Sequence, residues 1–349
     1  MDYRRLGCTD LNVSQVCLGT MTWGEQNSED DAFAQLDYAL DQGVNFIDTA
    51  ELYPVPRRGD TQGRTETYIG NWLSRRGGRD RLILATKVTG RSQDAWFRPF
   101  ANMTRLNREQ ITYALEQSLR RLKTDYVDLY QLHWPDRPLN LFGDSKGYHH
   151  IPEKDVVPLE ETLAVLDDLV REGKIRYVGL SNETPWGVMS CLHHAEVRGL
   201  PRVHSVQNAY NLLNRLYEQG LAEISLREEV SCLPYSPLGG GCLSGKYLDG
   251  ALPQGSRRQL FPDFTSRYQK ENVDEAIRAY RDLAAQHGLS LVQLALKFVD
   301  SRPFVAASII GATTLDQLRE DIAAFRTKWT DELEQGVEHI HRRYPDPAP

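Results

Sequence analysis

Leu82-Ile83-Leu84-Ala85-Thr86-Lys87, the stretch Asn107 to Leu122, and Tyr126-Val127-Asp128-Leu129-Tyr130-Gln131-Leu132 form the passage that decides the architecture. The first and last are short, mostly apolar runs with the length of buried strands. Between them Ile111, Leu115, Leu119 and Leu122 recur at i, i+4, i+8 and i+11, which lines one face of a helix. Strands joined through a helix pair in parallel by a right-handed crossover. The same unit repeats in both directions. Toward the N-terminus lie strands at Val16–Gly19 and Asn45–Asp48. Helices are expected there at Asp30–Gly43, with Phe33, Leu36 and Leu40 on one face and Gly43 closing it, and at Thr65–Arg75. Toward the C-terminus strands are expected at Arg176–Leu180, His204–Gln207, Ser231–Tyr235 and Ala307–Ile310. Helices there span Leu159–Glu172, Trp186–Arg198, Tyr217–Glu229, Asp274–His287, Ser290–Asp300, Leu315–Phe325 and Asp331–Tyr344. Tyr3–Val16, around a turn-like Cys8-Thr9-Asp10, reads as a β-hairpin ahead of the first unit.

Eight β runs, each followed by a helix, predict a (β/α)₈ TIM barrel with an N-terminal β-hairpin and extra C-terminal helices. A doubly wound sheet is the runner-up, and the absence of G-x-G-x-x-G counts against it. The expectation is one domain over residues 1–349, with the hairpin at about 3–16, the barrel at about 16–325 and a last helix at about 330–344. A minimal barrel takes about 250 residues. The surplus falls in the hairpin, the loops after the third, fourth and seventh strands, and the terminal helices.

The 349 residues are 40% hydrophobic and 26% charged, ordinary for a globular chain. No apolar run approaches the roughly 20 residues of a membrane span, and Met1-Asp2-Tyr3-Arg4-Arg5 lacks the apolar core of a signal peptide. A cytoplasmic protein is expected. The net charge of −7 argues against nucleic acid as a partner but leaves room for a local anion site. Cys8, Cys17, Cys191, Cys232 and Cys242 include no C-x-x-C and read as buried, reduced thiols. His149-His150, His193-His194 and His339/His341 lack the i, i+4 spacing of a helical metal site, so they read as solvated and no metal is expected.

In such a barrel the chemistry lies at the C-terminal ends of the strands. The runs end in Asp48, Lys87, His133, Ser181-Asn182, Gln207-Asn208, Tyr235-Ser236 and Gly311. Tyr53 follows Asp48 by five residues. A phenol has a pKa near 10, and an ammonium at about 4 Å stabilises the phenolate by roughly 4 kcal/mol at an effective dielectric of about 20. Lys87 in that place would lower the phenol by up to about three pH units. Asp48 would hold Lys87, and His133 would donate a hydrogen bond to a carbonyl oxygen. Together they make a proton-donor set for carbonyl reduction.

These residues and their segments, Phe46-Ile47-Asp48-Thr49-Ala50-Glu51-Leu52-Tyr53, Ala85-Thr86-Lys87 and Leu132-His133-Trp134-Pro135, resemble the aldo-keto reductases. The resemblance continues through Gly179-Leu180-Ser181-Asn182, Val206-Gln207-Asn208, Tyr235-Ser236-Pro237-Leu238-Gly239 and Ile309-Ile310-Gly311-Ala312-Thr313-Thr314. Gly24–Ser28, Tyr53–Pro56, Thr65–Leu73 and Ser181–Thr184 are similar to the Tas-like bacterial branch. The resemblance implies an NADPH-dependent reductase of aldehydes and ketones, with Tyr53 as general acid, Lys87 and Asp48 behind it, and His133 on the carbonyl. It implies that Ser181, Asn182 and Gln207 hold the nicotinamide carboxamide and that Tyr235 stacks on the ring. Ser236, Pro237, Leu238, Gly239 and Gly240 would follow the pyrophosphate. Lys246 and Arg257 would clamp the 2′-phosphate, with Gly311, Thr313, Gln317 and Glu320 around the phosphate and adenosine. Asp321 stands where Asn is usual. Asp accepts a hydrogen bond from the adenine amino group but its charge lies beside the phosphate, so some NADH use is conceivable.

Trp23, Trp96, Phe97 and Trp134 fall in loops at the expected mouth and are the candidate substrate pocket. Substrate choice would lie in Gly90–Arg105, Asp136–Pro158 and the last helix, whose aromatic content suggests aromatic or medium-length apolar aldehydes. Monomer and homo-oligomer both stay open. An NADPH-binding, redox-sensing regulatory subunit with little turnover, of the kind found beside potassium channels, is the alternative. A barrel isomerase or hydrolase lacks a nucleophile–base pair at the strand ends.

Overall fold

The computed structural model describes residues 1–140, 150–152 and 154–349. A two-stranded antiparallel hairpin, β1 (Tyr3–Arg5) with β2 (Asn12–Ser14), precedes the main sheet. The main sheet holds β3 (Val16–Gly19), β4 (Phe46–Asp48), β5 (Ile83–Val88), β6 (Val127–Leu132), β7 (Ile175–Ser181), β8 (Val203–Gln207), β9 (Ser231–Cys232) and β10 (Ser308–Ile310). They run parallel in the order β10-β3-β4-β5-β6-β7-β8-β9. Backbone hydrogen bonds close the ring. Cys232 N–H donates to Phe304 O at 2.8 Å, Ala306 N–H to Cys232 O at 3.1 Å, and Ile309 N–H to Pro234 O at 3.0 Å. The expected (β/α)₈ barrel is the observed fold.

Helices α1 (Glu29–Asp41), α2 (Arg64–Arg76), α3 (Arg108–Leu122), α4 (Leu159–Arg171), α5 (Pro185–Arg198) and α6 (Leu221–Arg227) wrap its outside. After β9 come a short α7 (Arg257–Leu260), then α8 (Val273–Gln286), α9 (Leu291–Asp300), α10 (Leu315–Ala324) and α11 (Asp331–Arg343). Most ends agree with the sequence within two residues, because capping side chains mark them. Ser28, Asn107, Thr184, Ser290, Thr314 and Thr330 each accept a backbone N–H in the first turn of the following helix. Ile111, Leu115, Leu119 and Leu122 are buried against the sheet, as their spacing requires. No helix of the described residues is long and apolar enough to cross a membrane.

Three expectations differ. The helix expected over Tyr217–Glu229 is a single 3₁₀ turn at Leu216–Glu218 and then α6, because Gly220 takes φ +137 between them. The strand expected over Ser231–Tyr235 stops at Cys232, since Pro234 has no N–H for a ladder. Tyr235 is held instead by its N–H on Asn208 O at 3.0 Å. Third, Cys8 is exposed, with Sγ 3.3 Å from His204 Nδ1, whereas Cys17, Cys191, Cys232 and Cys242 are buried. Of the histidines expected to be solvated, His149 lies outside the described residues, as do residues 141–148 and 153 of the loop between Asp136 and Pro158.

Candidate active site

Asp48 ends β4 and Lys87 lies one residue before the end of β5. Parallel pairing of β4 with β5 sets them side by side at one mouth. Lys87 Nζ donates to Asp48 Oδ2 at 2.6 Å, to Thr49 O at 2.8 Å and to the Tyr53 hydroxyl at 3.3 Å. Its three donors are therefore all directed, and its side chain is 0% exposed. Breaking such a buried pair from one side costs about 3–5 kcal/mol. His133 follows β6 with its N–H on Val88 O at 2.9 Å, and its ring meets Tyr53 edge-on at 5.9 Å. The three residues singled out at strand ends and Tyr53, in the loop after β4, thus share one buried cluster.

The electrostatics differ from the expectation at one point. Burial raises the Tyr53 pKa more than Lys87 lowers it, so the phenol sits above its ordinary value rather than below. Lys87 is also held above its ordinary value: burial pulls it down, but Asp48 and Tyr53 together outweigh that. Burial, then Lys87 and Arg57, push His133 well below the usual imidazole range, so it is neutral at pH 7. Its Nδ1 is buried with no hydrogen-bond partner among the described residues.

Asp48 has a second set of partners that the strand ends did not reveal. Its Oδ1 accepts from Gln131 Nε2 at 3.0 Å and from Gln207 Nε2 at 2.9 Å, and Gln207 also donates to Gln131 Oε1 at 3.0 Å. Gln207 was expected to use its amide on a carboxamide, yet its N–H groups are committed inside the barrel. Gln131 was missed because it lies one residue inside its strand end. Its polarity within the otherwise mostly apolar run Val127–Leu132 was the available signal.

Ser181, Asn182 and Tyr235 form one chain beside this cluster. Ser181 Oγ donates to Gln207 O at 2.7 Å. Asn182, at φ +51, donates to His133 O at 2.9 Å and accepts from the Tyr235 hydroxyl at 2.8 Å. From Tyr235 the chain runs through Ser236, at φ +54, and a buried Pro237 to Leu238, which packs on the core. Gly239, Gly240 and Gly241 then take φ +57, +64 and +95. Successive positive φ values at three residues demand glycine, and the Gly239 and Gly241 N–H groups donate to Ser236 O at 2.8 Å and Leu238 O at 3.0 Å. A Cβ on Gly241 would lie 3.2 Å from Lys246 Nζ.

Lys246 lies over the Tyr247 ring at 5.3 Å. Burial lowers the Arg257 pKa, against the opposing pull of Tyr247, Tyr268, Cys242 and Tyr53. Asp321 is buried near Glu320, which is exposed, and Lys246. Burial and then Glu320 raise it to about 7, against the pull of Lys246. Its charge was expected beside the phosphate; burial instead shifts it toward the neutral form. Gly311 is exposed ahead of α10. The Thr313 N–H, expected to face an anion, instead donates to Gln317 Oε1 at 3.0 Å, with the Thr313 hydroxyl on the same oxygen at 3.0 Å.

Of the pocket candidates, Phe97 and Trp134 pack in one cluster with Tyr53, Ala50 and Leu52. Trp96 stacks on Phe97 at 5.4 Å and is 45% exposed. Trp23 packs apart from that cluster, fully buried in the main core with its indole N–H on Gln35 at 3.3 Å, where α1 covers it.

This arrangement can hold a neutral proton donor against a fixed ammonium, and it places the left-handed Gly239–Gly241 run against Lys246. Comparison with known proteins agrees with it. The pattern that defines the Aldo/keto reductase family matches residues 15–340. The chain is 51% identical to "Protein tas" of Escherichia coli K12, over the full length of both. It is 40% identical to an "Aldo-keto reductase" of Babesia bovis, across 76% of this chain and 98% of that one. It is 30% identical to "L-glyceraldehyde 3-phosphate reductase" of Escherichia coli O157:H7, across 97% of this chain and 92% of that one. The chain, with its closed eight-stranded barrel, belongs to the aldo/keto reductase family of oxidoreductases.

Proposed function

We propose that this protein reduces aldehydes and ketones to alcohols with NADPH, and that Tyr53 gives the proton. The observation that carries the reading is the Tyr53 hydroxyl 3.3 Å from a Lys87 ammonium that Asp48 and Thr49 O fix in place. NADPH, when bound, supplies a hydride to the carbonyl carbon. Tyr53 then transfers its proton to the developing alkoxide oxygen. Its raised pKa keeps it protonated at pH 7, and Lys87 stabilises the phenolate it leaves. Neutral His133 orients the carbonyl by hydrogen bond. Gln131 and Gln207 hold the Asp48 carboxylate aimed at Lys87.

The donor set suits the cofactor. Tyr235 offers a ring at the nicotinamide end, and Gln207, with its N–H groups committed, offers Oε1 to a carboxamide N–H. Ser181 and Asn182 flank it. The run Ser236–Gly241 would follow the pyrophosphate. Lys246 and Arg257 would hold the 2′-phosphate, with Gly311, Thr313, Gln317, Glu320 and Asp321 at the adenosine. The relative named as a reductase of an aldehyde supports the reaction class. Following NADPH oxidation by absorbance against a panel of aldehydes and ketones tests the reading. Turnover that persists in Tyr53→Phe at the wild-type rate would sink the mechanism.

A further inference from the structure

We propose that Glu51 and Arg98 are a positioning pair that holds the Tyr53 segment, the end of β5 and the Phe97 wall in one register; the proposal rests on the reductase reading above. Both side chains are almost wholly buried, 2% and 1% exposed. Arg98 grips Glu51 with both arms of its fork, Nη1 to Oε2 at 2.9 Å and Nη2 to Oε1 at 2.8 Å. Glu51 Oε1 also accepts the Thr89 N–H at 2.6 Å, two residues past Lys87. Arg98 Nη1 donates to Phe97 O at 2.9 Å, which fixes the backbone of a pocket residue. Glu51 itself is two residues before Tyr53, and its N–H donates to Lys87 O at 3.2 Å. One carboxylate and one guanidinium therefore tie together the segments that bear Tyr53, Lys87 and Phe97.

A second bridge joins the same two loops at the rim. Arg57 donates to Asp94 at 2.7 Å, and its guanidinium lies 5.9 Å from the Trp134 ring. The polarity is reversed: the Tyr53 segment carries acid then base, and the facing loop carries acid then base in antiparallel sense. A slip of one loop past the other would set like charges together. The bidentate geometry makes Arg98 a rigid constraint that a point charge would not supply. Misplacement of a reacting group by about 1 Å costs about 10²-fold in rate. Neither residue has a direct part in the proton transfer, so the effect should appear in kcat and not in cofactor binding.

The test compares Arg98→Met with the double variant Glu51→Gln/Arg98→Met, which leaves no unpaired buried charge and so guards against loss of the fold. Both are expected to lower kcat about 10–100-fold while KM for NADPH stays within about twofold. Hydrogen exchange in residues 49–57 and 88–98 should rise in both, with the hairpin and α11 unchanged. A double variant that melts near the wild type and keeps wild-type kcat would overturn the positioning role. Unchanged exchange in those segments would overturn it whether or not any substrate is found. A wild-type protein inert toward the whole carbonyl panel would instead count against the reductase reading, and the exchange result would still decide the pair's structural constraint.

Discussion

The surroundings of Lys87 and of Lys246 are built on opposite plans. Around Lys87 the charged groups are matched internally: ammonium to carboxylate, carboxylate to two amides, phenol to ammonium, with His133 Nδ1 left unpartnered among the described residues. Around Lys246 the described residues form no ion pair with it, and the nearby acid, Asp321, has its pKa raised to about 7. A site that must place a proton needs its charges fixed in advance, so that no reorganisation accompanies transfer. A site that must accept an anion gains from cations whose partners are weak, because a strong internal carboxylate would compete with the ligand. On the proposed reading, the difference would separate a site for chemistry from a site for binding.

The largest test of that contrast is Tyr53→Phe. It should lower kcat about 10²–10⁴-fold and leave NADPH binding, read by fluorescence, unchanged. The pH profile sharpens it. Tyr53 stays protonated and His133 stays neutral between about pH 7 and 8, so the wild-type reduction rate should be level there and fall only as the pH climbs toward the raised phenol value. A step centred near the ordinary imidazole pKa would break the assignment of a neutral His133.

Lys246→Ala with Arg257→Ala should do the reverse. Charge-assisted hydrogen bonds are worth about 1.5–3 kcal/mol each, so KM for NADPH should rise about 10²-fold or more, with kcat and KM for NADH little changed. Equal effects on both cofactors would place the phosphate elsewhere.

Asp321→Asn is a smaller test with a defined sign. Below about pH 4 folded and unfolded chains both hold the proton. Between about pH 4 and 7 only the folded chain holds it, so stability falls as pH rises through that window, and the loss is complete above about 7. Asn has no such titration. The variant should therefore melt higher than wild type at pH 8, with the gain shrinking toward pH 4, and its KM for NADPH at pH 8 should drop a few-fold. A gain that does not depend on pH would remove Asp321 from this role. The smallest effect is at the rim. Trp96→Ala should raise KM for aromatic aldehydes about 2–10-fold, the worth of one aromatic contact. Trp23→Phe should alter melting and not KM, because that ring is in the core.

Much of this was legible along the chain. Buried strands and amphipathic helices carry their periods locally, and capping residues such as Ser28 and Ser290 announce helix starts, so the eight units could be counted without coordinates. Because every barrel strand points its C-terminus to the same mouth, the strand-end residues Asp48, Lys87 and His133 were expected to meet, and Tyr53 with them. Gly220 within an otherwise helical pattern and Pro234 near the end of a β run are visible along the chain too, and each breaks its element there.

What only the tertiary structure decided follows from burial and pairing across distant segments. The sequence determined which groups gather at the mouth; it did not determine their charge states. Tyr53 lies above its ordinary pKa because desolvation outweighs Lys87, and desolvation depends on the whole surrounding shell. The Gln131–Asp48–Gln207 network and the Glu51–Arg98 pair join residues up to 159 positions apart, and no local pattern encodes which donor turns toward which acceptor. Backbone periodicity is a local property and could be read directly; hydrogen-bond direction and dielectric environment exist only once the chain has closed on itself.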